Sequence, residues 1–469
     1  MTADTTLSEK NTLTKLSIMM FLQFFTWGSW FVTLALALGT NDLAAVIGGA
    51  FESAPIAAIF APLFLGLVAD RFFPSEKVMG VLMVIGAAIM AYIASIAPSG
   101  ASAGPKIVTL MIAYMCCYMP TLGLANTITF THLPQELFPK ARVWGTIGWI
   151  VAGLFLGFAG MSNSLGIFWL AAGASLAFGI YSFLLPSTPA PSKDQPLNVR
   201  SLLMLDAFKL FKNPAFAVFA ICSMLICIPL AYYYAQTAGF LAAAGYSEPG
   251  SFMSIGQMSE IFFMLLIPFF FRKLGVKLML LIGMGCWVLR YALFAYGAPD
   301  QVAWMLLLGV ALHGICYDFF FVTGFIYTDK KAPAAIRGQA QALLVFLTQG
   351  LGMFFGFRFA FGGNFPFTET KLPNIITQGE NVYGTAASGD LVNAIKAANE
   401  GAPAKSSMEQ LGGMFGKGYP EGIDKELVTK NMSEWQDYWH YPMYLAAAIF
   451  VIFALFFWDK VKTDDEDQT

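Results

Sequence analysis

Apolar and polar residues fall along this chain in long blocks rather than in alternation. Runs of about twenty apolar residues, the length a helix needs to cross a hydrocarbon layer, recur from end to end. Twelve spans are predicted, at roughly 14–38, 44–69, 78–97, 106–131, 143–160, 164–186, 214–243, 251–271, 276–297, 302–328, 335–361 and 439–458. The pattern therefore predicts an all-α polytopic membrane protein. Pro229 interrupts the seventh span. The first is long enough to span a bilayer and contains "QFFTWGSW", so it reads as a retained helix rather than a cleaved leader.

Two polar stretches break the rhythm. The Pro/Ser-rich, charged segment 187–213 divides the chain into an N-terminal six-helix half, 1–186, and a C-terminal half, 214–469. Two similar halves are the signature of a transporter built from repeats. "GLVADRFFPSEKVMG" and "FFFRKLGVKLML", short and basic, are counterparts in the two halves. The segment 362–437 is polar, Gly-rich and mixed in charge, with a helix-like piece at "GDLVNAIKAANE". It is predicted as an extracytoplasmic insertion between the last two spans, serving as a cap, a partner site or a plain insertion.

Charge fixes an expected orientation. Every second short loop is basic: Arg71 and Lys77, Lys140 and Arg142, Lys193 to Lys212, Arg272 to Lys277, Lys330 to Arg337. The intervening short loops hold only Lys106. Lys10 and Lys15 precede the first span, and Lys460 and Lys462 follow the last. The positive-inside rule then puts both termini in the cytoplasm.

Composition narrows the class. Only 12% of the 469 residues are charged and 57% are hydrophobic, which excludes an ordinary soluble domain. No basic stripe suggests nucleic acid. The six cysteines lie inside apolar runs and the three histidines are scattered, so neither a disulfide framework nor a metal site is readable. No H-E-x-x-H, G-x-S-x-G or P-loop motif is present, so an enzyme or an ATP-driven pump is not expected.

The informative residues are charges at lipid depth, where each costs about 2.5–3.5 kcal/mol and must face a cavity or a partner. They are Glu52, Glu260, Arg290, Asp318 and Arg358. Glu260 follows Gln257 by three residues, so amide and carboxylate share one helix face. Glu260 is either a proton-exchanging group or a structural acid locked to an arginine. Asp318 lies in "LHGICYDFFFVTG", where His313 and Tyr317 share a side. A carboxylate at this depth is costly when charged and cheap when neutral, the property a proton carrier needs. An ion pair with Arg290 is the alternative, and the two are compatible if the pair opens during transport. In "RVWGTIGW", Arg142, Thr146 and Trp149 form one stripe, apt for a polar solute with a flat ring; Arg142 as a cytoplasmic anchor is the other reading. "AYYYAQTAGF" adds Tyr232, Tyr233, Tyr234 and Gln236, as pocket or as interfacial belt, and Gln23 and Trp27 are equally open. Asp70 and Arg71 read as a conformational latch, with Arg290 as a third gate residue.

These motifs resemble the nucleoside:proton symporter family, a branch of the major facilitator superfamily that includes bacterial nucleoside permeases. The resemblance rests on "FLQFFTWGSW" (21–30), "GLVADR" (66–71), "YMPTLGLANTI" (118–128), "RVWGTIGW" (142–149), "LDAFKLFKN" (205–213), "GQMSEIFFMLLIPFF" (256–270), "WVLRYALFAYG" (287–297) and "YDFF" (317–320), in family order over both halves. It implies a major facilitator fold of two six-helix halves enclosing a central cavity. It also implies nucleoside contact by Arg142, Thr146, Gln257 and Glu260, with proton coupling by Glu260 and Asp318. Several pocket positions depart from the family. Ala231 and Tyr234 stand where the family has a glutamine and an asparagine, and Trp149 and Tyr317 where it has phenylalanines. His313 replaces a tyrosine, Glu52 is an extra acid, and 362–437 has no counterpart.

The chain is thus expected to import a nucleoside with protons by alternating access across a bacterial inner membrane. It would act as a monomer, with the proton as coupling ion and no cofactor. Symport of a sugar or nucleobase, and a non-transporting receptor, are the alternatives.

Overall fold

In lipid no solvent satisfies backbone amides, so a spanning segment closes its own hydrogen bonds as a helix. The computed structural model describes residues 3–64, 72–134, 137–190, 200, 203–333, 336–361, 386–399 and 406–459. Among these the regular structure is helical, and the one β contact is an isolated bridge, Tyr246 to Lys417. The helices are α1 (Ala3–Phe31), α2 (Leu34–Gly39), α3 (Ile47–Phe64), α4 (Ser75–Ile96), α5 (Gly104–His132), α6 (Phe138–Phe158), α7 (Gly166–Ser182), α8 (Pro214–Ala243) and α9 (Pro249–Gly297). They continue with α10 (Ala303–Ala311), α11 (His313–Tyr317), α12 (Thr323–Lys331), α13 (Arg337–Val345), α14 (Met353–Phe361), α15 (Ala386–Asn399), α16 (Ser407–Gly413) and α17 (Lys425–Phe456).

Among the described residues, nine helical stretches are long and apolar enough to cross a membrane. Two of them kink at a glycine of positive φ. A 3-10 stretch, Ala97–Ala103, joins α4 to α5 with Gly100 at φ 60°, and α9 turns at Gly275, φ 67°. Both φ values lie where only glycine is unstrained. Gly166–Ser182 is a shorter apolar helix.

The chain forms two compact units. The first comprises Met1–Asn198, Ser247–Ser254 and Ala404–Gly416; the second comprises Val199–Tyr246, Ile255–Pro403 and Lys417–Thr469. In the first, α1 lies against α6 so closely that a Cβ on Gly148 would sit 2.2 Å from the Phe21 carbonyl oxygen. The start of α9 and the α16 helix pack here too. Gln410 Nε2 donates to Gly157 O (2.8 Å) and Glu248 Oε1 (3.0 Å), and Ser162 Oγ donates to Glu248 Oε2 (2.6 Å).

In the second unit α8 packs against α14 and α17. The last helix begins at Lys425, well before the expected start near 439. The Asp424 side chain accepts from the Glu426 amide at 2.9 Å and caps it. Met432, Trp435 and Trp439 are buried on one face, and Trp435 lies 5.4 Å from the Phe240 ring. Lys430, Glu434 and Asp437 depress the average hydropathy of this stretch, so a window scan misses its apolar face.

Candidate functional site

In the first unit Arg142, Thr146 and Trp149 follow one another along α6 at the spacing of the expected stripe. Thr146 is buried; Arg142 and Trp149 are half-buried. The Arg142 guanidinium carbon sits 4.1 Å over the Phe24 ring, a cation–π contact. The Trp149 ring is 5.6 Å from Trp27 and 6.3 Å from Phe31, and Trp27 is 5.5 Å from Tyr118. This aromatic wall is held by polar contacts behind it. Tyr118 donates to the Gln23 carbonyl (2.7 Å), and Gln23 Nε2 donates to Thr121 Oγ1 (3.2 Å). Arg142 Nη1 and the indole nitrogens of Trp27 and Trp149 have no hydrogen-bond partner among the described residues. The face thus offers donors and flat rings, the chemistry that binds an oxygen-bearing ring system. Glu52 is buried on α3.

In the second unit, residues of α8, α9 and α11 meet at His313. Its ring stacks on Tyr233 (5.2 Å, 15° between planes) and meets Tyr234 edge-on at 6.0 Å. Tyr317, one turn along, is 5.9 Å away, as their spacing predicts. Arg290 is fully buried, with its guanidinium carbon 4.2 Å over the Tyr233 ring and Nη2 3.2 Å from His313 Nδ1. Arginine only donates, so Nδ1 is the acceptor. Gln257 and Glu260 are buried one turn apart on α9, 7% and 8% exposed. Tyr234 lies within electrostatic range of Glu260, Tyr317 and Arg290.

Asp318 is fully buried and opens a π-helical turn, Asp318–Val322, between α11 and α12. Such widened turns mark functional sites more often than plain helix does. The tyrosine run is no interfacial belt: Tyr232 and Tyr233 are buried in the protein. Gln236 is buried too, with neither amide atom bonded among the described residues. Arg358 is half-buried, 5.6 Å over the Phe354 ring. Asp70 and Arg71, the expected latch, lie outside the described residues.

Ser259, and the partner of Tyr233, escape a reading of the sequence. Tyr233 is one of three adjacent tyrosines, and nothing local says which one meets Arg290. Ser259 looks like an ordinary small residue, yet its hydroxyl bonds two backbone groups at the α10–α11 junction.

An all-helical, multi-pass chain with buried acids beside aromatic, donor-rich faces is a secondary transporter, and its fold is that of the major facilitators. Residues 10–368 match the model of the nucleoside H+ symporter family. The chain is similar to Escherichia coli strain K12 YegT, named "Putative nucleoside transporter", at 42% identity over 74% of this chain and 83% of that protein. It is 32% identical to the xanthosine permease of the same strain, over 73% of this chain and 85% of the permease. Among solved structures it is similar to the crystal structure of the nucleoside transporter NupG, with TM-score 0.68 and 27% identity, covering 94% of this chain and 99% of that one. The chain belongs to the nucleoside H+ symporter family.

Proposed function

We propose that this protein imports nucleosides together with protons, by alternating access, across a bacterial inner membrane. Both termini are placed in the cytoplasm, and the working unit is a monomer with the proton as coupling ion and no further cofactor. The halves are 1–186 and 214–469, joined by 187–213, with 362–437 as an outer insertion whose end, from Lys425, already belongs to the last helix. Relatives named for nucleosides and xanthosine support the substrate class.

The observation that carries the coupling is that the second unit buries two acids, Glu260 and Asp318, in the same body as Arg290, His313 and a tyrosine wall. An acid at membrane depth is tolerated when its charge can be removed or shielded. Protonation from outside neutralises Glu260 or Asp318 and permits the change of state. Deprotonation inside then releases solute and proton together, a coupling free energy between the two ligands.

Residue roles follow from chemistry. Arg142 and Thr146 donate to nucleoside oxygens and Trp149 stacks on the base. Gln257 orients the ligand, Glu260 joins solute and proton, and Tyr234, His313 and Tyr317 wall the base. Asp70, Arg71 and Arg290 act as the gate. Flat aromatic rings favour a base-bearing solute over a free sugar.

Uptake in proteoliposomes tests this. With an inward proton gradient, labelled uridine accumulates, adenosine competes, and free sugars do not. Uridine uptake indifferent to the gradient, or displaced by sugars instead, overturns the reading. Deleting 370–423, which spares the Asp424 cap and the last helix, leaves uptake intact if the insertion is accessory and the chain is a transporter rather than a receptor.

A further inference from the structure

The tenth expected span is interrupted for one residue at Leu312, which still donates to the Leu308 carbonyl and accepts from the Cys316 amide, and a side chain from α9 bonds the backbone on either side of it. The Ser259 hydroxyl accepts the Gly314 amide hydrogen at 3.0 Å. Its own proton lies between the Ala311 carbonyl (2.5 Å) and the Gly256 carbonyl (2.8 Å). One hydroxyl therefore serves a donor and an acceptor of another helix, groups that at membrane depth have no water to turn to. The backbones touch at this point. A Cβ on Gly314 would lie 2.5 Å from the Glu260 amide nitrogen, and a Cβ on Gly256 3.0 Å from the His313 Cβ. Ser259 thus bonds the residues that flank His313, and it is the chain neighbour of Glu260.

We propose that Ser259 is a positioning residue for transport, whose hydroxyl sets the register between Glu260 on α9 and His313 at the α10–α11 junction. This rests on the reading of Glu260 as a solute- and proton-binding acid. Ser259 touches neither ligand; it acts through the two segments it joins. A helix face that slides by part of an ångström at Ser259 carries Glu260 with it, and misplacement on that scale weakens binding out of proportion to the bond lost.

The test uses the full-length protein in proteoliposomes with three variants. Ser259→Ala removes the hydroxyl, Ser259→Cys keeps the volume with a weak donor, and Ser259→Thr keeps the hydroxyl. The half-saturating uridine concentration rises about tenfold in the Ala and Cys variants, equivalent to about 1.4 kcal/mol, and returns close to the parent's in the Thr variant. Maximal rate per inserted molecule changes less. A purely structural serine gives the opposite split, with fewer active molecules at unchanged half-saturation.

Hydrogen exchange on purified protein reads the bridge without any substrate. Exchange in the peptide around 308–320 quickens about tenfold in Ser259→Ala. Unchanged half-saturation in Ser259→Ala overturns the proposal. So does unchanged exchange, equal loss in the Thr variant, or failure of the Ala variant alone to reach the membrane. If the parent takes up no nucleoside while Ser259→Ala still quickens exchange, the nucleoside reading fails and the bridge stands.

Discussion

Arg290 donates from Nη2 to His313 Nδ1 at 3.2 Å, in a place where neither residue reaches solvent. Replacing the ring with one that cannot accept leaves a buried guanidinium hydrogen without its partner, at a cost of about 1–3 kcal/mol. His313→Phe therefore lowers the melting temperature by a few degrees, while His313→Asn, which offers an oxygen near the same place, recovers part of the loss. Thermal unfolding of detergent-purified variants checks this. Equal melting of the Phe variant and the parent would show that the contact holds nothing.

Close approach makes a second, sharper contrast. A methyl at Gly148 collides with the Phe21 carbonyl, so Gly148→Ala forces α1 and α6 apart. At Gly173 nothing lies within 4 Å, and alanine there adds helix propensity of up to about 1 kcal/mol. Gly148→Ala should yield little monodisperse protein on size exclusion, and Gly173→Ala a yield at or above the parent's.

Asp318 tests the coupling. Asp318→Asn keeps the size and removes the ability to exchange a proton. Concentrative uptake should disappear, while binding or exchange of nucleoside at equal pH persists. A mutant that still concentrates uridine against its gradient removes Asp318 from the coupling role.

For Glu260 the expectation is a joint loss. Glu260→Gln should weaken nucleoside binding and flatten its dependence on pH between about 5.5 and about 8, because the amide cannot ionise. Tyr233, Tyr234, Tyr317, His313 and Arg290 are further titratable groups of this cluster. Affinity that stays at the parent's value across that range speaks against the assignment.

The outer contact of α16 gives a modest prediction. Gln410 bonds Gly157 O and Glu248. Gln410→Ala removes two half-exposed bonds, so stability falls by only about 1 kcal/mol and uptake continues. A loss of uptake as complete as that of Asp318→Asn would mark the contact as obligatory for transport.

Much of this protein is legible before any folding is considered. Lipid-length apolar runs dictate helices because a bilayer leaves the backbone no other partner, and long blocks keep that message intact. Glu260 and Asp318 stand out for the same reason: a carboxylate in such a run is conspicuous because its cost is high. The i, i+4 spacing of His313 and Tyr317 and the stripe from Arg142 to Trp149 follow from helical periodicity alone.

Other features depend on partners far away in the chain. The helix turn from Lys425 to Tyr438 was hidden because its apolar face is diluted by charges, and only packing on Tyr232 and Phe240 shows which face counts. Tyr233 and Tyr234 are indistinguishable in composition; the stack with His313 and Arg290 separates them. The bridge made by Ser259 exists only because α9 meets the backbone of Ala311 and Gly314. The order of residues thus determined where helices form and which charges are costly, since both are local balances against lipid. Tertiary structure alone decided which groups answer those charges, since hydrogen bonds and ring stacks between distant segments depend on sub-ångström placement that no local pattern encodes.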